Sequence, residues 1–315
     1  MSWFDYAAKR TITSLGMLVG ASVVVFLIIR LIPGDPVTIM LGQQSSEAAR
    51  EALRRQLGLD LPVWEQYLQW VGDVVRGDWG QSVYTGESVL QLIGERYPDS
   101  LELALLSTFL ALVIAVPLGI LGALDRNSGR DYAVLLFSQL GMSIPSFLLA
   151  ILLIVLFANH LGWFPTSGSV ALFESFVGNL RHVVLPTVSL GLINAAVFTR
   201  YLRSSMLDEL NKDYVRTARA FGHPRRRVLW KYVLRNALIP LVTITGLQFG
   251  FAIGGVVIIE QVFGYAGMGR LILNALLNRN YPLVQLALLV FAATFIVANL
   301  LVDLVYGLLD PRIRY

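Results

Sequence analysis

The sequence predicts an all-α membrane protein with six transmembrane helices and a helical extracytoplasmic insertion between the first and the second. Three observations carry this. Only 15% of the 315 residues are charged, against roughly 25% in soluble domains, and the mean hydropathy is +0.64. Several apolar runs exceed the ~18–20 residues that cross a bilayer as helix. These runs are continuous rather than alternating, which argues against a β-barrel. Finally, Lys and Arg are divided unevenly between the two sides that six spans would create.

The first span is Ile12–Ile32, within a first segment 1–32. It is too long for a signal peptide and lacks a small-residue cleavage site. Lys9 and Arg10 hold its start inside, and Arg30 near its outer end is placed to snorkel to the interface. Pro33, Gly34, Asp35 and Pro36 stop the helix. Residues 33–100 form a polar extracytoplasmic segment. In it Ser46 caps a helix carrying Leu53 and Leu57 and ended by Gly58. Pro62 precedes an amphipathic helix with the stripe Trp64, Tyr67, Leu68, Val71 and Val75. A third helix, Ser88–Tyr97, ends at Pro98.

A core region, 101–309, follows. Its second span is Leu101–Leu124, with Pro117 inside. The third is Tyr132–Ala158, interrupted at Ser143, Ile144, Pro145 and Ser146. The fourth is Val183–Tyr201, with Pro186 inside, and the fifth is Ala237–Ile259. The apolar piece Leu271–Leu277 is too short to cross and reads as re-entrant or interfacial. The sixth span is Leu283–Leu309, and 310–315 is a short tail. Sixteen Lys/Arg then fall inside and eight outside, with Arg30 at the boundary. That bias puts both termini in the cytoplasm of a multi-pass protein of the cell membrane.

Composition removes several functions. With no cysteine, disulfides, thiolate metal sites and a cysteine nucleophile are absent. His160, His182 and His223 lack ligand spacing, so no metal is expected. The basic pI near 9.4 reflects loop charge and is no argument for nucleic acid. No H-E-x-x-H, G-x-S-x-G or G-x-x-x-x-G-K-[ST] occurs, so the chain is read as neither an enzyme nor an ATPase. Glu102, Glu260 and Asp303 lie near the interfaces rather than at the midplane, which counts against an ion-driven secondary carrier.

Two stretches stand out. The inner loop 203–236 carries Arg216, Arg219, Arg225, Arg226, Arg227, Lys231 and Arg235. It reads as two short helices, the first over Tyr214–Phe221 with Asp213 as N-cap and Gly222 as stop, the second opened by Pro224. Tyr214, Ala218 and Phe221 share a small apolar face. A loop that only sets topology would look similar; the sharper reading is a docking helix for a soluble partner. In the fifth span Gly246, Gly250 and Gly254 make a smooth stripe for close packing against a neighbouring helix; the functional version of that reading makes the neighbour a second permease subunit.

These pieces resemble the membrane permease subunit of ATP-binding-cassette (ABC) importers for dipeptides, oligopeptides or nickel, of the first-permease type. The residues carrying the resemblance are Arg30–Pro36 (RLIPGDP), Arg76–Gly80 (RGDWG), Ser143–Phe147 (SIPSF) and Tyr214–Gly222 (YVRTARAFG). Leu234–Pro240 (LRNALIP), Gly267–Arg270 (GMGR), Tyr281–Gln285 (YPLVQ) and Asp310–Arg314 (DPRIR) complete the set. The resemblance implies the MetI-like ABC permease fold. It also implies that Tyr214, Val215, Thr217, Ala218, Arg219, Ala220, Phe221 and Gly222 form the coupling helix of the EAA loop, seated on a cytoplasmic ATPase. Arg216 stands where the general EAA pattern has Glu, and Pro240 lies further from Gly222 than in that pattern. The implied partners are a second permease subunit, two cytoplasmic ABC ATPase subunits that bind the ATP and magnesium, an extracytoplasmic substrate-binding protein, and lipid. No cofactor is expected in this chain. Nickel or oligosaccharide cargo, an ATPase-independent carrier, a membrane enzyme and a structural scaffold are the alternatives.

Overall fold

The computed structural model describes residues 3–31, 37, 46–56 and 60–309. Among them the structure is helical, and the β-type pairing is an isolated bridge between Gln81 and Ser88. The turn expected at Pro33–Pro36, Leu57 with the stop at Gly58, and the tail 310–315 lie outside the described residues.

Five helices are long and apolar enough to cross a membrane, and two bent helix pairs raise the number to as many as seven. Helix α1 (Trp3–Leu31) lies on the flank against the last helix, α12 (Tyr281–Leu309). Tyr6 Oη donates to the Asp303 carbonyl, and Arg10 pairs with the Asp303 carboxylate at 3.2 Å. The rest of α1 presents Ile12, Leu15, Val19 and Val24 outward, an apolar face suited to lipid.

Between α1 and the next long helix lie α2 (Glu47–Gln56) and α3 (Val63–Arg76). Gly77 ends α3 at φ 87°, a left-handed turn that favours glycine. The inward face of α3 differs from the expected stripe. Tyr67 and Trp70 pack round Phe26 of α1 at 5.3 and 5.6 Å, and Tyr67 bonds to Ser22 at 2.8 Å. Trp64, Leu68 and Val75 point outward. The helix has apolar residues over a wide arc, and Phe26 selects which part is covered. Arg30 lies over the Phe26 ring at 3.4 Å and donates to Gln66 at 2.6 Å, consistent with a charge held at the boundary.

Helix α4 (Val89–Leu124) corrects the boundary expected at Pro98: the helix runs through it. At 1.5 Å per residue its 36 residues span about 54 Å, well beyond a ~30 Å hydrocarbon core. One long helix therefore serves both the expected outer helix and the second span. Its buried small residues Ala104, Ser107, Ala111, Ala115, Gly119 and Gly122 form one side. That side packs on the most buried helix, α7 (Phe176–Leu210), where a Cβ on Gly119 would sit 3.0 Å from Leu202.

The expected interruption of the third span is a sharp break. α5 (Gly129–Ser143) and the pair formed by α6 (Ser146–Leu153) and the π-helical turn Ile154–His160 meet at 101°. Pro145 starts α6 with ψ 140° and biases the preceding residue out of helical geometry, as its ψ of 122° shows. Beyond α7 come α8 (Asp213–Ala220), the short α9 (Arg225–Arg227), the π-helical segment Val228–Leu234 and α10 (Arg235–Phe263). α11 (Met268–Leu277) then folds back at 85° to the end of α10.

Candidate functional site

The loop 203–236 forms one packed unit at the end of the bundle that we call the basic end. α8 begins at Asp213, so Lys212 rather than Asp213 is its N-cap. Gly222 follows its last turn at φ 76°, and Pro224 precedes α9 as its N-cap rather than lying inside it.

Val215 and Ala218 are the buried residues of α8. They share a core with Phe198, Leu202 and Met206 of α7, with Val228, Val233 and Leu234 of the π-helical segment, and with Ala237 and Leu241 of α10. The expected common face of Tyr214, Ala218 and Phe221 is therefore split. Ala218 turns inward, Tyr214 sits at the edge, and Phe221 is 79% exposed. Thr217, Arg219, Ala220 and Gly222 are exposed as well. Positions 214 and 215 both neighbour 218 on a helix, and the packing against α7 and the π-helical segment takes Val215 into the core and leaves Tyr214 at its edge.

Tyr214 is the knot of this unit. Its hydroxyl donates to Glu209 at the end of α7, lies 3.2 Å from the Tyr232 carbonyl and accepts from Asn236 Nδ2 at 3.0 Å. Burial first, and then the bond to Glu209, push the phenol up to about 12, so it stays a neutral donor. Glu209 also takes Lys212 at 2.5 Å, and His223 stacks on Tyr232 at 5.8 Å. α8 is thus tied both to α7 and to the helical rod that becomes α10.

The glycine stripe has a different neighbour from the one expected. A Cβ on Gly250 would collide with the Phe295 ring, and one on Gly246 with Val302, both on α12. For these two residues the plain reading, packing against a neighbouring helix, holds, and the neighbour is this chain's own last helix in place of a second subunit. Spacing by four predicts a flat face, and only the packing says which helix fills it. Gly254 lies one turn further along α10.

At the opposite end α11 is fastened by buried groups. Glu260 accepts from Ser100 Oγ and, at 2.9 Å, from the Arg270 N–H. The Met268 N–H donates to Ser100 Oγ at 2.7 Å, and Arg270 donates to the Gly264 carbonyl at 2.8 Å. A Cβ on Gly269 would lie 2.6 Å from the Val257 Cα, so only glycine allows this approach.

With this geometry in view, comparison with known proteins decides the family. The profile described as "Binding-protein-dependent transport system inner membrane component" matches residues 115–315. Its companion, "Binding-prot-dependent transport system membrane comp, N-term", matches residues 3–104. The chain belongs to this family of transport-system membrane components. The permease is 42% identical over 313 residues to the oligopeptide transport system permease protein AppB of Bacillus subtilis, covering 98% of this chain and 99% of that one. It is 38% identical over 311 residues to the glutathione transport system permease protein GsiC of Escherichia coli, with 99% of each chain covered. Among solved structures, a chain of the inward-facing MetNI methionine ABC transporter aligns with a TM-score of 0.57 and 17% identity, covering 70% of this chain and 97% of that one. That likeness supports the MetI-like permease fold, in a protein that crosses the membrane several times.

Sequence reasoning missed two polar anchors of the permease. Glu209 and Asn236 converge on Tyr214 across 5 and 22 residues of chain, a separation without periodicity. Asp131, between the second and third expected spans, is 1% exposed and takes a paired bond from Arg203 at 2.6 and 2.8 Å, fastening α5 to α7. The signal available was the acid itself, matched by a basic residue just past the fourth expected span.

Proposed function

We propose that this permease is the transmembrane half of an ATP-driven ABC importer for short peptides. The single observation behind it is the two-sidedness of α8. Val215 and Ala218 are sunk in the chain's own core, while Phe221, Thr217 and the cations around them face away from it. The names of the similar proteins, which specify oligopeptide and glutathione, supply the cargo class.

In this reading six spans form the pathway half, with the bent α5–α6 pair as the third, and both termini are cytoplasmic. Segment 33–100 is extracytoplasmic, 101–309 is the permease core and 310–315 a cytoplasmic tail. A second permease completes the pathway, and a binding protein delivers the peptide from outside. Two ATPase subunits hold ATP and magnesium, so this chain carries no cofactor and performs no hydrolysis. Closure of the ATPases pushes on the exposed side of α8. Because Tyr214 is bonded to the Tyr232 carbonyl and to Asn236, that push is delivered to the foot of α10, which tilts and switches the pathway.

Since Ala218 lies in the core, the outward residue is the one to change. Phe221→Asp should abolish ATP-driven peptide uptake and weaken co-purification of the ATPases, with membrane insertion and yield unchanged. Normal uptake by this variant would overturn the coupling role.

A further inference from the structure

Past the turn at Gly222 the chain places three arginines and a tryptophan where the helical rod begins. Pro224, Arg226, Arg227 and Trp230 line a wide, open groove. Trp230 is 55% exposed. Arg225, Arg226, Arg227 and Lys231 are exposed, and none of them makes an ion pair with an acidic side chain among the described residues. Two cations earlier in the loop differ: Lys212 is held by Glu209 and Arg216 by Asp213.

We propose that this groove binds the headgroup of an anionic phospholipid of the inner leaflet, the arginines taking the phosphodiester and Trp230 resting at the glycerol level. The inference rests on the reading above that the basic end is cytoplasmic. Three physical arguments favour lipid. First, the arginines stand at the start of a candidate span, Arg225–Gly250, the position in which clustered cations meet anionic headgroups. Second, Arg226 and Trp230 are one helical turn apart, about 6 Å along the axis. A headgroup layer is about 5–7 Å deep on each side of the hydrocarbon, and tryptophan prefers that level. Third, Val228, Val233 and Leu234 bury the opposite face of this segment against Val215 and Ala218. The groove therefore faces away from α8 and does not compete for the surface that a protein docked on α8 would use. Guanidinium groups suit the phosphodiester because their fixed fork of donors matches its oxygens.

The test uses the full chain in phosphatidylcholine nanodiscs doped with lipid brominated near the headgroup. The quenching due to Trp230 is the difference between the wild type and Trp230→Phe. Brominated phosphatidylglycerol should quench it more than brominated phosphatidylcholine at the same mole fraction. Arg226→Ala/Arg227→Ala should weaken that preference roughly tenfold to thirtyfold, and Arg226→Lys/Arg227→Lys should keep most of it with an unchanged melting temperature. Equal quenching by the two lipids, or an unchanged preference in the alanine double variant, would overturn the site. So would displacement by millimolar inorganic phosphate, which indicates a free-anion site. Loss of the preference when the chain is isolated with its ATPases would overturn it too, as a protein-docking surface.

Orientation is read separately. The chain has no cysteine, so Asn211→Cys gives one labelling position. Labelling of intact cells by an impermeant maleimide would overturn the cytoplasmic assignment, and with it the inner leaflet, independently of the lipid preference measured in nanodiscs.

Discussion

The permease fastens a short helix at each end of its bundle, and it fastens them by different means. α11, at the opposite end, is held by buried groups: Glu260 is 0% exposed, and its Ser100 and Arg270 N–H bonds are shielded from water. α8, at the basic end, is held on one side only. Its anchors, Tyr214 and Asn236, sit at the edge of the core, and its other side carries Phe221 and cations. Buried polar contacts cost much to break because the separated groups find no replacement water. Edge contacts cost less. We read α11 as a fixed part of the frame and α8 as a part that is secured from within yet reachable from without.

Changes that break the comparison should be largest at α11. Glu260→Leu strips the partner from Ser100 and the Arg270 N–H in a dry site, and should cost upwards of about 3 kcal/mol. The check is thermal unfolding in detergent, and a loss below about 1 kcal/mol would mean α11 is not part of the frame. Gly269→Val forces a side chain onto the Val257 backbone and should cost about 1–3 kcal/mol by the same measurement. Tyr214→Phe keeps the ring but removes the hydroxyl from Glu209 and Asn236. It should cost about 1 kcal/mol while lowering transport per ATP hydrolysed, measured in proteoliposomes. Phe221→Ala should change stability by less than about 0.5 kcal/mol and still reduce uptake severely. If stability and uptake fell together there, α8 would be one more piece of frame.

The smallest effect is one of pH. The folded Tyr214 phenol lies at about 12, above the ordinary value of 10.0. Its contribution is therefore fully present below about pH 10 and lost as pH rises through about 12. Alkaline titration of the melting temperature should show a shallower fall over that window in Tyr214→Phe than in the wild type.

Where the chain folds by local rules, reading was direct. Apolar runs of bilayer length became helices, Ser143–Pro145 became a break, and Gly222 became a left-handed stop. Boundaries failed where tertiary packing outweighed a local breaker. Pro98 lies inside α4, where Val89 and Ile93 just before it are buried against Met268 and Ala275 of α11 and Leu283 of α12. Faces failed in the same way: the apolar arc of α3 was legible, but Phe26 chose Tyr67 and Trp70 from it.

Residue order alone determined that this chain crosses a membrane, that it bends at particular prolines and glycines, and that its cations gather at one end. All of these depend on hydrophobicity, backbone freedom and charge, which belong to each residue wherever it sits. Three-dimensional packing decided that Gly246 and Gly250 receive α12, that Val215 rather than Tyr214 enters the core, and that Glu209, Asn236 and Tyr214 meet. Those outcomes depend on pairs of surfaces brought together from distant parts of the chain, and no single stretch contains both halves of a contact.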